Sequence, residues 1–286
     1  MTVRAPLSPV LITGCSSGIG RATAERLARR KDRVVFATAR RPEAVADLEA
    51  AGCRILPLDV ADESSILAAV ERIEAEFGAV EALVNNAGYS QSGAFEEVPI
   101  EAVRAQFETN VFGLVRLTQA VLPGMRRAGR GRILNIGSMG GSLTFPGGGY
   151  YHATKYALEA LSDALRFEVA GFGIDVVLIR PGLIRANFDR AAVERVPPPA
   201  SDSPYREFTA EVARLTRSAY VEGSLAKLGG DPDDAARVIE NALDAARPKP
   251  RYRVTASAHV MTALRRLLGD RLWDRFLALH YPRPGR

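Results

Sequence analysis

The chain has 286 residues, 47% of them hydrophobic and 25% charged, with 38 Lys/Arg against 33 Asp/Glu and a formal net charge of +5. This composition is that of an ordinary globular protein and excludes collagen-like, coiled-coil and broadly disordered chains. The pI of about 9.4 raises the question of nucleic acid. The excess is local, however: residues 247–286 hold ten Lys/Arg and two Asp/Glu, a balance of +8, which leaves −3 for the rest. No basic stripe crosses the chain, so no nucleic-acid partner is expected.

Short β-branched runs at 10–13, 33–39, 54–58, 82–85, 132–136 and 175–180 alternate with helical patterns at 18–31, 42–51, 62–77, 99–128 and 151–170. Most of the runs are apolar on successive residues, as in strands buried on both faces. Alternating βα units with right-handed crossovers predict the α/β class, a doubly wound parallel sheet of Rossmann type with helices on both faces. The stretch 185–230 breaks the rhythm with Pro197-Pro198-Pro199 and Pro204, then an amphipathic pattern over 205–220, and reads as an excursion from the sheet. A helix over 232–246 and a last strand over 251–255 complete a single catalytic domain, residues 1–255. Residues 256–286 read as a basic, helical C-terminal extension. In it Val260, Met261, Leu264, Leu267 and Leu268 share one face. Gly269-Asp270 stops that helix and caps the next, whose face is Leu272, Trp273, Phe276, Leu277 and His280. Both faces are expected to pack on the body or lid a pocket.

Two cysteines, Cys15 and Cys53, cannot build a disulfide framework. No apolar leader precedes Pro9, and the longest uncharged stretch, 133–154, carries six glycines and a proline. A cytoplasmic chain without membrane contact is expected. His152, His259 and His280 show no metal-ligand spacing with each other or with the cysteines, so no metal is expected.

The first strand runs into Thr13-Gly14-Cys15-Ser16-Ser17-Gly18-Ile19-Gly20, with a helix behind it. Glycines let the backbone approach a phosphate, and a helix N-terminus offers free N–H groups and a positive dipole end. Gly14, Ser16, Ser17, Gly18, Ile19 and Gly20 are therefore candidate dinucleotide ligands. An acid about 20 residues beyond the loop would mark NAD. Here that position is Arg40, followed by Arg41, while the nearest acids are Asp32 and Glu43. Two guanidiniums suit a 2′-phosphate, which predicts NADP(H) over NAD(H).

Tyr151 and Lys155 stand four apart at the start of a helical pattern and so share a face. An ammonium beside a phenol favours phenolate and lowers its pKa, making Tyr151 a candidate acid/base for a carbonyl/alcohol pair. The chain has 34 arginines and only four lysines, which makes a lysine at 155 conspicuous. Tyr150 and Tyr156 point elsewhere around the helix and read as packing or pocket wall.

Together, Thr13-Gly14-x-x-x-Gly18-Ile19-Gly20, Asn85-Asn86-Ala87-Gly88, Ser138, Tyr151-x-x-x-Lys155 and Pro181-Gly182 resemble the ordered motifs of the short-chain dehydrogenase/reductase family over about residues 8–255. The text around Tyr151-His152-Ala153-Thr154-Lys155 is similar to the 17β-hydroxysteroid and retinol dehydrogenase branch. The resemblance implies that Tyr151 is the general acid/base, and that Lys155 lowers its pKa and holds the nicotinamide ribose. It implies that Ser138 bonds the reacting oxygen and that Asn110 helps hold a water linking Lys155 to solvent. It places Asp59, with Val60, on the adenine side, Asn86, Ala87 and Gly88 beside the cofactor, and Pro181, Gly182 and Ile184 at the nicotinamide. One position departs from the pattern: where a threonine is usual four residues after Gly182, this chain has Ala186, followed by Asn187.

The implied reaction is hydride transfer between NADP(H) and a small hydrophobic carbonyl or alcohol. Candidate pocket walls are Tyr89, Met139, Phe145, Pro146, Tyr150 and Phe188. Without a cluster of charges among them, a bulky apolar substrate of steroid, retinoid, polyketide or acyl type is expected. A homodimer or homotetramer through the helices at 99–128 and 151–170 is implied as well. The rival readings are a non-catalytic dinucleotide sensor and an isomerase or lyase on the same fold.

Overall fold

The computed structural model describes residues 8–185, 202–220 and 224–285. Seven parallel strands form one sheet: β1 Ser8–Ile12, β2 Arg33–Ala39, β3 Arg54–Pro57, β4 Ala82–Asn85, β5 Gly131–Ile136, β6 Ile174–Pro181 and β7 Arg251–Val254, in the order β3-β2-β1-β4-β5-β6-β7. The doubly wound sheet expected from the alternating pattern is present. The helices are α1 Gly18–Ala28, α2 Glu63–Phe77, α3 Ile100–Phe107, α4 Gly113–Ala128, α5 Gly149–Val169, α6 Arg206–Tyr220, α7 Pro232–Asp244 and α8 Ala256–Ala278.

Alternate residues of the strands feed two cores. Val10 and Ile12 pack with α1 and α7 on one face, and Leu11 packs with α2 and α4 on the other. That two-sided burial is why the strands read as continuous apolar runs. The sheet reverses its winding at β1, which lies between β2 and β4. The crevice beyond the carboxyl ends of such strands is where open α/β sheets take ligands.

Two predicted helices differ in kind. The pattern at 42–51 is a 3₁₀ helix, Pro42–Glu49. The single pattern at 99–128 is α3 and α4 joined through a π turn, Glu108–Phe112, which carries Asn110. A π turn re-aims the side chains of a helix and recurs at functional sites.

The C-terminal pattern is corrected in part. Gly269 has φ 61° and ψ −169°, so α8 kinks where the break was expected. Only one side of each predicted face meets the body. Met261 and Trp273 are buried with Met139, Leu143 and Leu183, and Leu264, Leu268, Phe276 and Leu277 pack partly against them. Val260, Leu267 and Leu272 are exposed, as is His280. The predicted faces were wider than the strip a helix of 3.6 residues per turn can lay on a flat neighbour. No helix among the described residues is long and apolar enough to cross a membrane.

Candidate active site

The glycine loop is held by a threonine. Thr13, directly after β1, accepts hydrogen bonds at Oγ1 from the backbone N–H of Asn86 and of Ala87, 2.9 Å each. The Asn86 side-chain amide returns to Thr13 O at 2.9 Å and Gly14 O at 3.1 Å. The loops after β1 and β4 are thus laced together at the switch point. Glycine is required here by geometry. Gly14 and Gly18 have φ +71° and +60°. A Cβ on Gly20 would stand 2.4 Å from Asn86 Nδ2 and 2.6 Å from Gly14 O.

The result is a tight cradle at the N-terminus of α1, where Ser17 is extended and caps nothing with its side chain. It fits a dinucleotide diphosphate. Cys15 is wholly buried, its thiol donates to Ile12 O at 3.3 Å, and burial pushes it up to about 12, so it packs rather than reacts.

Arg40 and Arg41, just past β2, are both exposed. Neither is in an ion pair among the described residues. The nearby acid, Asp32, stands before the other end of β2 and is bound to Arg30 at 2.9 Å. Asp59 follows β3 and accepts from Ala61 N at 3.0 Å, forming a turn that carries Val60. Gly88 abuts Asn110, from whose Oδ1 an added Cβ would be 3.1 Å.

The catalytic candidates converge at the end of β5 and the start of α5. Ser138 is extended, and its Oγ accepts from Gly140 N at 3.0 Å. It is also hydrogen-bonded to the Tyr151 phenol. Lys155 is buried and donates to Ile136 O at 2.8 Å, with Nζ 5.7 Å from the Tyr151 ring centroid. Asn110 is 1% exposed. Its amide donates to Tyr89 O at 2.8 Å and Thr154 Oγ1 at 3.2 Å, and accepts from Tyr89 N at 3.0 Å.

One electrostatic expectation is reversed. The Tyr151 phenol is not lowered by Lys155. Burial pushes it up to about 12, and the Ser138 hydrogen bond only partly offsets that. Burial also pulls Lys155 down to about 8. Four-residue spacing puts the two side chains on one face, but the ammonium sits over the ring and is engaged by a strand carbonyl. Desolvation of the phenol therefore outweighs the charge nearby.

His152, which shows no metal-ligand spacing along the chain, is tied into the same turn. Burial pulls it down to about 4, so it is neutral in the fold. A histidine depressed in this way contributes stability above its unfolded value of about 6.5 and loses it as pH falls toward about 4. The melting temperature should therefore decline across that window, and less so in His152→Gln; equal acid slopes for the two proteins would contradict this.

Pro181 ends β6. Gly182 is forced by close approach: a Cβ there would be 2.3 Å from Ser257 Oγ. Ser257 Oγ also accepts from Leu183 N at 3.0 Å. Ile184 bridges to Gly230 and is buried. Thr255, a non-glycine residue at φ +80°, is held between these groups. The C-terminal extension therefore starts against the Pro181-Gly182 turn. Ala186, Asn187 and Phe188 lie outside the described residues.

Of the predicted walls, Tyr150 stacks on Phe95 at 4.7 Å and donates to Phe95 O at 2.8 Å. Phe145 packs on Trp273 with centroids 5.9 Å apart. Met139 is 8% exposed and belongs to the core, not to an open wall. A cleft of about 550 Å³ lined by Phe145, Tyr150, Phe208 and Trp273 opens behind this loop, and neither Tyr151 nor Ser138 lines it. Thr13, Thr154 and Ser257 were missed. Each is a small hydroxyl whose partner lies on a distant segment, and only Thr13, the first residue after an apolar strand and before a glycine, carried a local signal.

Residues 8–196 match the family model described as short chain dehydrogenase. The chain belongs to that family. It is 43% identical over 180 residues to the 3-ketodihydrosphingosine reductase of Bacteroides thetaiotaomicron, covering 63% of this chain and 65% of that one. It is 33% identical over 274 residues to the NADPH-dependent 3-dehydrocapnine reductase of Ornithobacterium rhinotracheale, covering 93% and 94%. A solved short-chain dehydrogenase from Streptomyces avermitilis superposes with a TM-score of 0.78 at 38% identity, covering 95% of this chain and 98% of its own. Other solved relatives were captured with NADP+, at 27% identity and a TM-score of 0.74, or with NAD, at 26% and 0.77. An oxidoreductase fold that takes a nicotinamide dinucleotide and a small-molecule substrate is thereby supported.

Proposed function

We propose that this dehydrogenase interconverts a ketone or aldehyde and an alcohol on a bulky hydrophobic substrate, with NADP(H) preferred over NAD(H). The observation that carries the reaction is the Ser138–Tyr151 hydrogen bond beside buried Lys155, at the carboxyl end of the sheet. The bound dinucleotide would supply or accept the hydride at the carbonyl carbon. Gly14, Ser16, Ser17, Gly18, Ile19 and Gly20 hold its diphosphate, Asp59 and Val60 lie on its adenine side, and Asn86, Ala87 and Gly88 lie beside it. Pro181, Gly182 and Ile184 border its nicotinamide. Tyr151 gives a proton to the carbonyl oxygen, or takes one from the alcohol, and Ser138 donates to the same oxygen as charge develops on it. A phenol held near 12 carries its proton at neutral pH, which suits the reductive direction. Two relatives whose names record reductases of a keto and a dehydro compound support that direction. Asn110 holds the Tyr89 backbone and Thr154, whose hydroxyl bonds Tyr151 O at 2.7 Å, and so steadies the first turn of α5.

The test is NADPH consumption with hydrophobic ketones and aldehydes. Cofactor binding without turnover on any of them would favour the sensor reading instead. For the cofactor, replacing both Arg40 and Arg41 by Ala should raise the KM for NADPH at least about tenfold, the loss expected from one or two charge-assisted hydrogen bonds, and leave NADH unaffected. Equal loss with both cofactors would overturn the preference. We place a homodimer or homotetramer contact on the faces of the 99–128 and 151–170 segments, where Phe112 and Phe167 are 49% and 89% exposed. Two buried, unbridged cysteines accord with a cytoplasmic setting.

A further inference from the structure

The residue after the catalytic tyrosine has no part in the reaction just described, yet it is built into the site at both ring nitrogens. His152 is 8% exposed. Its Nε2 faces the backbone N–H of Phe145 at 3.3 Å. An N–H can only donate, so Nε2 bears no hydrogen and the imidazole proton is on Nδ1. Nδ1 then donates to Gly140 O at 3.1 Å. Gly140 is the same residue whose N–H donates to Ser138 Oγ at 3.0 Å. One neutral ring thus clamps the two halves of the loop between β5 and α5, the turn that aims Ser138 and the segment that presents Phe145.

The loop is shaped to the ring. A Cβ on Gly140 would stand 2.4 Å from Nδ1, and one on Gly148 would stand 2.8 Å from Nε2. Two glycines therefore wall the imidazole where any side chain would displace it. A residue serving only to fill space would use neither nitrogen. The far side of the clamp is braced by the C-terminal extension, whose Trp273 donates from Nε1 to Thr144 O at 3.3 Å and packs on Phe145.

We propose that His152 is a positioning residue with two separable effects: its Nδ1–H holds the Ser138 turn and so sets turnover, and its Nε2 holds the Phe145 segment and so sets substrate affinity. This rests on the catalytic reading of Ser138 and Tyr151 given above.

The substitutions that separate the two ends are His152→Asn and His152→Gln. The asparagine amide reaches the place of Nδ1 and keeps the donor to Gly140 O, while losing the acceptor for Phe145 N. The longer glutamine reaches the place of Nε2 and keeps the acceptor for Phe145 N, while losing the donor to Gly140 O. Steady-state kinetics with a ketone that the unaltered enzyme reduces, and NADPH, should show a split. His152→Asn should raise the ketone KM about tenfold, the size of one apolar contact, with kcat near that of the unaltered enzyme. His152→Gln should lower kcat by up to about 10²-fold, the effect of misplacing a reacting group by an ångström, with KM little changed. NADPH affinity, read by fluorescence titration, should be unchanged in both. Trp273→Leu should follow the asparagine variant, raising KM alone.

Parallel losses in kcat and KM that track each variant's melting temperature would show a merely structural histidine and overturn the proposal, as would two variants indistinguishable from the unaltered enzyme. If the unaltered protein bound NADPH but reduced no carbonyl, the catalytic reading itself would fall, an outcome separate from an unsplit pair of active variants.

Discussion

Tyr151→Phe is expected to abolish turnover and to leave cofactor affinity intact. The substitution removes a single oxygen from a ring that packs edge-on against His152 at 5.7 Å, and phenylalanine keeps that packing. Lys155 still donates to Ile136 O, and Ser138 still caps its turn through Gly140. What is lost is the proton donor and one of two hydrogen bonds to the developing oxyanion. General acid catalysis contributes about 10²–10⁴-fold, and removal of one oxyanion donor costs about 10²–10³-fold. The two losses overlap because one hydroxyl supplies both, so a fall in kcat of at least about 10³-fold is expected. The check is kcat for ketone reduction beside NADPH titration by fluorescence. Activity within tenfold of the unaltered protein would reject Tyr151 as the acid. The raised Tyr151 value adds an expectation for alcohol oxidation, which needs the phenol to surrender its proton. Its rate should still be climbing as pH passes 10, because the folded group titrates near 12.

The second large effect is structural and falls on the cofactor loop. Thr13→Val preserves shape at a position 1% exposed but strips the acceptor from two backbone N–H groups, those of Asn86 and Ala87. Each donor left unpaired costs about 1–3 kcal/mol, and both donors here are part-buried, so a loss of about 2–6 kcal/mol in urea unfolding is expected, together with weaker NADPH binding. Thr38→Val is the matched control. Thr38 is equally buried, but its hydroxyl serves only as a donor, to Ile12 O at 2.9 Å, and that carbonyl keeps its place in the sheet. Its loss should be about 1 kcal/mol. Equal costs for the two substitutions would mean that the loops after β1 and β4 are not joined through Thr13.

These two predictions differ in how much of their basis was legible in the chain. Tyr151, Lys155 and Ser138 were named from spacing and from motif order, and the structure brings Ser138 and Tyr151 into contact with Lys155 alongside. The sheet was equally legible. Apolar runs such as 33–39 and 82–85 are continuous because both faces of a parallel sheet are covered, and β2 and β4 occupy those residues. The π turn at Asn110 was invisible, because a one-residue change in helical pitch leaves the apolar periodicity of 99–128 almost unaltered. The extent of packing in α8 was misjudged for a related reason: periodicity shows which residues share a face but not how broad a surface the body offers that face. Leu267 and Leu272, 83% and 49% exposed, mark the difference.

By itself the sequence determined the class of fold, the place of the glycine cradle between the first strand and first helix, and the residue types at the reacting centre. Those follow from local periodicity and from short motifs, whose members lie within a helical turn or a loop of one another. Only the tertiary structure decided the pairings and the charges. The Thr13 bonds span 73 and 74 residues, and the clamp at His152 depends on which backbone atoms face its two nitrogens. The Tyr151 phenol moved opposite to expectation because a pKa is set by the balance of burial against neighbouring charge. A spacing of four residues names the neighbour, but the depth of burial exists only once the chain has folded.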